Sequence, residues 1–212
     1  MADVVNAAPV KEKGGYTGTG LGLLGHCILW SLLTIITLGI GYPWVLCAQI
    51  RYILGKTKVD GRTLSFDGKG GQLIGKWIVW LLLCIITIGI YSFFLPKKVL
   101  QWVASHTSIE GGNGKGSWEG GAFMLFVHLL AMDLITVFTL GLLFPVGLNL
   151  VITYVVEHMV IGGEKVSFGG SGLGLLGHWI VWWILSIITL GIYTFWAMTH
   201  MVDWVAENAH IG

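Results

Sequence analysis

The chain has 212 residues, of which 55% are hydrophobic and 11% charged, with a net charge of +1. Soluble domains carry about 25% charged residues, so a mean hydropathy of +0.79 sets this chain apart from them. The near-neutral charge gives no polyanion signature, and nucleic acid is not expected as a partner.

Residues 1–15 read as a flexible arm, with no apolar core followed by a small-residue cleavage site of the signal-peptide kind. A repeat begins at Tyr16. Its clearest mark is the string Ile-Ile-Thr-Leu-Gly-Ile at Ile35–Ile40, which returns at Ile85–Ile90, Val137–Leu142 and Ile187–Ile192. Three further marks hold the same register. They are an aromatic-x-Gly at Tyr16, Phe66, Trp118 and Phe168, an aromatic at Tyr52, Trp102, Tyr154 and Trp204, and a β-branched residue at Val59, Ile109, Ile161 and Ile211. Gly20–Ile40 and Gly172–Ile192 agree at 16 of 21 positions. Four marks in one register define four repeats, 16–65, 66–117, 118–167 and 168–212, within a single domain over 1–212.

Each repeat reads as a short extended piece, an apolar helix A, a Thr-Leu-Gly turn, a shorter helix B and a strand-like end. In the first repeat, helix A is expected over Leu21–Leu38, a length of about 27 Å and close to the hydrocarbon thickness. Gly39 ends it. Helix B is expected from Tyr42 to Gly55, and Val59-Asp60-Gly61-Arg62-Thr63 as a β-hairpin tip. In the second repeat, Pro96-Lys97-Lys98 falls inside helix B. The expected fold is an all-α integral membrane protein of four helical hairpins, about eight helices, with small β-hairpins in the loops between repeats.

Eight of the twelve Lys and Arg residues lie in the arm or the inter-repeat loops, and none lies in an A–B turn. This asymmetry predicts hairpins that cross and return, with the loops and both chain ends cytoplasmic. The two ends are expected to pair and close the four repeats into a ring. Cys27, Cys47 and Cys84 all sit in apolar segments and show no metal-ligand spacing, so neither metal nor cofactor is expected.

The first repeat also carries Leu38-Gly39-Ile40, Pro43-Trp44, Arg51-Tyr52, Thr57 with Asp60-Gly61, and Phe66 with Gly68. In these residues it resembles the YjgN-like family of bacterial inner-membrane proteins. Repeats two to four depart from the pattern, with Phe93-Phe94, Pro145-Val146 and Phe195-Trp196 in place of Pro-Trp. The resemblance implies an inner-membrane location and no established activity.

Polar residues in apolar helices are the candidates for function. Positions four apart on the B helices share a face. That face carries Arg51 in the first repeat and Lys97 and Gln101 in the second. In the third it carries Asn149, Thr153 and Glu157, and in the fourth Asp203 and Glu207. One reading is a polar interior with pairs such as Arg51–Asp203, binding or passing an ion, small solute or lipid headgroup. Asp133 is the one acidic group in an A helix. His26, Lys76, His128 and His178 share one position near the start of each A helix, where they could meet lipid headgroups. The alternative reading is a non-catalytic structural or accessory subunit that packs against itself or another membrane protein. No nucleophile–base arrangement is discernible, so no enzyme is expected. Membrane lipids are the expected partners.

Overall fold

A computed structural model describes residues 14–37 and 41–212. Most of the arm and the first Leu38-Gly39-Ile40 turn therefore lie outside the described residues. In chain order the elements are β1 (Gly15–Tyr16), α1 (Gly20–Ile36), α2 (Tyr42–Leu54), β2 (Thr57–Val59), β3 (Arg62–Phe66) and α3 (Gly70–Ile86). A 3-10 turn (Ile90–Phe94) precedes α4 (Leu95–Ser105), β4 (Thr107–Ile109), β5 (Ser117–Trp118), α5 (Ala122–Phe138) and α6 (Phe144–Glu157). The chain continues through β6 (Met159–Ile161), β7 (Glu164–Phe168), α7 (Gly172–Ile188), α8 (Thr194–Asn208) and β8 (Ala209–Ile211).

Two expectations are corrected. The fold is not all-α: the strands form two four-stranded antiparallel sheets, β1-β2-β3-β4 and β5-β6-β7-β8. Each repeat pairs its opening strand with its own closing strand, as Tyr16 with Thr57 and Phe66 with Thr107. The hairpins β2–β3 and β6–β7 then join repeats in twos. Nor do the described helices bear out an integral membrane protein, because none is long and apolar enough to cross a membrane. Helices α1, α3, α5 and α7 have 17 residues each. At 1.5 Å per residue this is about 26 Å, short of the roughly 30 Å hydrocarbon layer.

The Thr-Leu-Gly turn sets that length. Ile88, Leu140 and Leu190 have φ of 52°, and the glycines after them have φ of 84–88°. The amides of Gly89, Gly141 and Gly191 reach back to the Cys84, Thr136 and Ser186 carbonyls at 2.7 Å, so the helix stops there. The threonine completes the turn. Thr87 Oγ1 donates to the Leu83 carbonyl and accepts from the Tyr91 amide, and Thr37, Thr139 and Thr189 do the same in their repeats. Pro96 does not interrupt helix B. Because the 3-10 turn comes first, Pro96 falls in the first turn of α4, where no amide is needed.

The aromatic-x-Gly mark has a similar cause. A side chain at Gly18, Gly68, Gly120 or Gly170 would collide with the ring two residues earlier. Each ring folds back over its glycine. In three repeats it then packs edge-on against the helix-B aromatic: Phe66 on Trp102, Trp118 on Tyr154 and Phe168 on Trp204, with centroids 5.5–6.2 Å apart. The β-branched mark meets itself. Val59, Ile109, Ile161 and Ile211 share one buried core with Leu64 and Val166, made from both sheets.

The helices close a ring in which α8 packs against α1, and α3 meets α4 through the 3-10 turn between them. The first and last strands do not pair with each other as expected, since β1 pairs with β2 and β8 with β7. Instead Asp60, at the tip of the first hairpin, accepts the Ile211 amide at 2.9 Å and contacts His210 Nδ1 at 3.1 Å. Arg62 and Glu164 join the two hairpins through paired 3.1 Å bonds.

Candidate functional site

Part of the helix-B stripe, with Arg51, Asn149 and Asp203, faces the seams between repeats. Arg51 Nη2 donates to the Gly68 carbonyl at 2.7 Å, holding the chain where the second repeat begins. Asp203, its counterpart in the fourth repeat, accepts the Tyr16 amide at 2.7 Å, where the first repeat begins. The two residues therefore do the same work at successive seams and do not pair with each other. Cys47 is buried against Phe66 and Leu73 of the next repeat. Asn149 lies beside Gly172 in the same way, with its Oδ1 buried and without a hydrogen-bond partner.

The remaining sequence candidates are spread out. Lys97 and Gln101 are half-buried on α4, and Thr153 is half-buried on α6. Glu157 is exposed at the end of α6, and Glu207 is half-buried on α8. His26 packs on Tyr52 and His128 on Tyr154, with centroids 4.3 and 4.5 Å apart, each inside its own repeat. His178 Nδ1 lies 3.3 Å from the Gly174 carbonyl, and Lys76 is exposed on α3. Among the described residues no group of His, Cys, Asp or Glu could hold a metal ion.

Sequence reasoning missed the most pronounced surface feature. Ile88, Leu140 and Leu190, at the tips of three hairpins, are 93–94% exposed. Ile85, Ile86, Ile90, Val137, Phe138, Leu142, Ile187, Ile188 and Ile192 beside them are exposed as well. These tips stand a full helix length from the sheets. No Asp, Glu, Lys or Arg occurs in 77–96, 134–156 or 166–202. The charges gather at the sheet end, on Lys58, Arg62, Asp67, Lys69, Lys115, Glu164 and Lys165. The molecule thus has a charged, sheet-capped end and an apolar, helical end. The signal was visible in the sequence as apolar residues within a turn, where polar ones are usual.

Asp133 marks a boundary on that surface. It is exposed on α5, between the exposed Leu130 and Leu134. It lies about seven residues, or about 10 Å, from the Leu140 tip.

Residues 19–110 match a family of unknown function, DUF6693, and residues 163–211 match a bacterial protein family of unknown function, DUF898. The chain is 39% identical over 67 residues to the inner membrane protein YjgN of Escherichia coli K12, and equally to that of Escherichia coli O157:H7. The matched stretch is 31% of this chain and 17% of each relative's length. No solved structure matches. The YjgN identity and the DUF898 match support the resemblance to the YjgN-like family, whose function is not established.

Proposed function

We propose that this protein is a non-enzymatic, membrane-associated binding unit of the bacterial inner membrane, inserted from one side by its hairpin tips. The observation that carries the reading is the set of apolar turns exposed at one end of a molecule that is charged at the other. Moving an Ile or Leu side chain out of water contributes about 1.5–3 kcal/mol. The twelve exposed side chains at three tips therefore favour an apolar layer by more than about 10 kcal/mol. Backbone groups entering hydrocarbon must be satisfied internally. The threonine hydroxyls and the back-reaching glycine amides meet part of that demand within the turns.

Asp133 supports a depth. A carboxylate resists entry, so its hairpin goes in by about 10 Å, the depth usual for interfacial helices. His128 then stands about 8 Å further out, at headgroup level, together with Lys76, His26 and His178 in their repeats. The basic loops favour the cytoplasmic side for the sheet cap. The relative named an inner membrane protein supports the location.

Vesicle-bound protein carrying Leu190→Cys or Lys115→Cys, compared with the wild-type cysteine background, tests this. An impermeant maleimide should label position 115 from the cap side and position 190 from neither side. Labelling of position 190 from the side opposite the cap would refute one-sided insertion. A second reading, a subunit packing against itself or another membrane protein, draws on the exposed flanks of α1 and α3, such as Leu29 and Leu81. Native mass after gentle solubilisation separates the two, because a lone monomer argues against the second.

A further inference from the structure

Two apolar clefts share part of their lining at equivalent positions in the two halves of the ring. One, of 360 Å³, lies between Phe144 and Leu148 of α6, Trp179 and Trp182 of α7, and Ala197 and Met201 of α8. The other, of 570 Å³, reaches Leu125 and Leu129 of α5 and Val151 and Val155 of α6, and on its near side is bounded by Tyr42, Leu46, Trp77, Leu95 and Val99. In the repeat register these five correspond in order to Phe144, Leu148, Trp179, Ala197 and Met201. Both volumes fall in the range of ligand pockets, roughly 300–1,000 Å³. Seven lining positions recur at the same register in the two clefts, although the first-half cleft extends further, to the third repeat.

The walls restrict the chemistry. Ser92 in one cleft and Thr194 in the other occupy one position, and Ser92 Oγ already donates to the Gly89 carbonyl at 2.6 Å. A polar solute would find few partners there, and water would find fewer than the two to four it needs. The second-half cleft also has a direction. In the second half, Trp179 and Trp183 line both the cleft and a smaller groove that runs along Leu140, Gly141 and Leu142. That groove opens at a hairpin tip, at the end of the molecule assigned above to the apolar layer.

We infer that each cleft admits one acyl chain of a bilayer phospholipid, entering from the tip side. The inference rests on the one-sided membrane reading, which brings the tips among lipid chains. A hydrocarbon chain needs no hydrogen-bond partner and is slender enough to follow the groove between rings. The headgroup then stays at the level of the A-helix histidines.

The full-length protein is reconstituted in vesicles of phosphatidylethanolamine and phosphatidylglycerol containing a phospholipid with a diazirine near the end of one acyl chain. After irradiation, adducts are mapped by peptide mass spectrometry. Adducts should appear at Trp182 and Met201, and at Trp77 and Val99, several-fold above those on the exposed α1 flank at Leu29 and Leu32. Ala197→Phe, which fills the second-half cleft, should lower the adducts there several-fold and leave those of the first-half cleft unchanged. If that variant loses both sets it has unfolded, and the wild-type pattern alone decides. Adducts confined to tips and flanks would overturn the cleft inference and leave the membrane reading standing. No adducts anywhere would overturn both.

Discussion

Leu140 and Leu190 hold a backbone conformation that costs a branched side chain about 1–2 kcal/mol, and they hold it in full exposure. Strain kept at an exposed apolar residue points to a use for that side chain. Leu190→Asn should therefore move two properties in opposite directions. Asn tolerates the left-handed region, so thermal unfolding in detergent should rise by the equivalent of up to about 1 kcal/mol. Partition onto vesicles should fall, because an apolar contact with the layer is lost. A variant that is both less stable and equally well bound would contradict the assignment of the tip. Tyr16 offers a residue-scale test at the other end. Burial, and after it the neighbouring Tyr52, push its hydroxyl up to about 12 from an ordinary 10.0. The folded state keeps this proton after the unfolded chain has released it. The resulting stability is whole below about pH 10 and is lost as pH rises toward 12. Spectroscopic titration of tyrosinate should show one tyrosine ionising late in wild type and not in Tyr16→Phe.

At the scale of elements, each hairpin is a pair of helices joined by one hydroxyl. Thr139 Oγ1 accepts the Leu143 amide at 3.1 Å as α6 begins and donates to Ile135 as α5 ends. Thr139→Val keeps the shape and removes both bonds, and should cost about 1 kcal/mol or more. Equilibrium unfolding would register it, and an unchanged midpoint would show that the cap is dispensable. These helices were legible because their signals are local. Glycine and threonine at the turn placed α1 and α2 within two residues of their observed ends. The sheets were not legible in the same way. A strand of two or three residues carries almost no register information. The partner of Tyr16 is Thr57, on the far side of two helices, and no local pattern announces it. The helix-B stripe was legible as a face, but a single face does not say what it meets. Arg51 and Asp203 looked like an ion pair by charge, and geometry gave each of them a separate backbone partner.

For the whole molecule, the question is what holds four repeats in a ring rather than an open row. The helical contacts between repeats use a glycine opposite the preceding helix B: Gly70 on Trp44, Gly172 on Val146 and Gly20 on Trp196. The third of these joins the fourth repeat to the first. At the remaining seam Ala122 stands where the glycine would be, and Phe93 and Phe126 meet edge-on at 4.7 Å. On the sheet side, Asp60 ties the end of the last strand to the first hairpin. Asp60→Ala should leave the Ile211 amide without that acceptor, at a cost of about 1–3 kcal/mol. Amide exchange at Ile211 should quicken, and exchange in the β6–β7 hairpin should not.

The bond from Asp203 to Tyr16 repeats, across the join, what Arg51 does for Gly68 within the chain. On the helical side, then, the join between the fourth and first repeats is a seam like that between the first and second. A circular permutant opened in the loop at 111–114, with a short linker running from Gly212 to Gly14, should reach the same fold and the same vesicle affinity. The register of the repeats, rather than their sequence along the chain, would then be the quantity the molecule maintains.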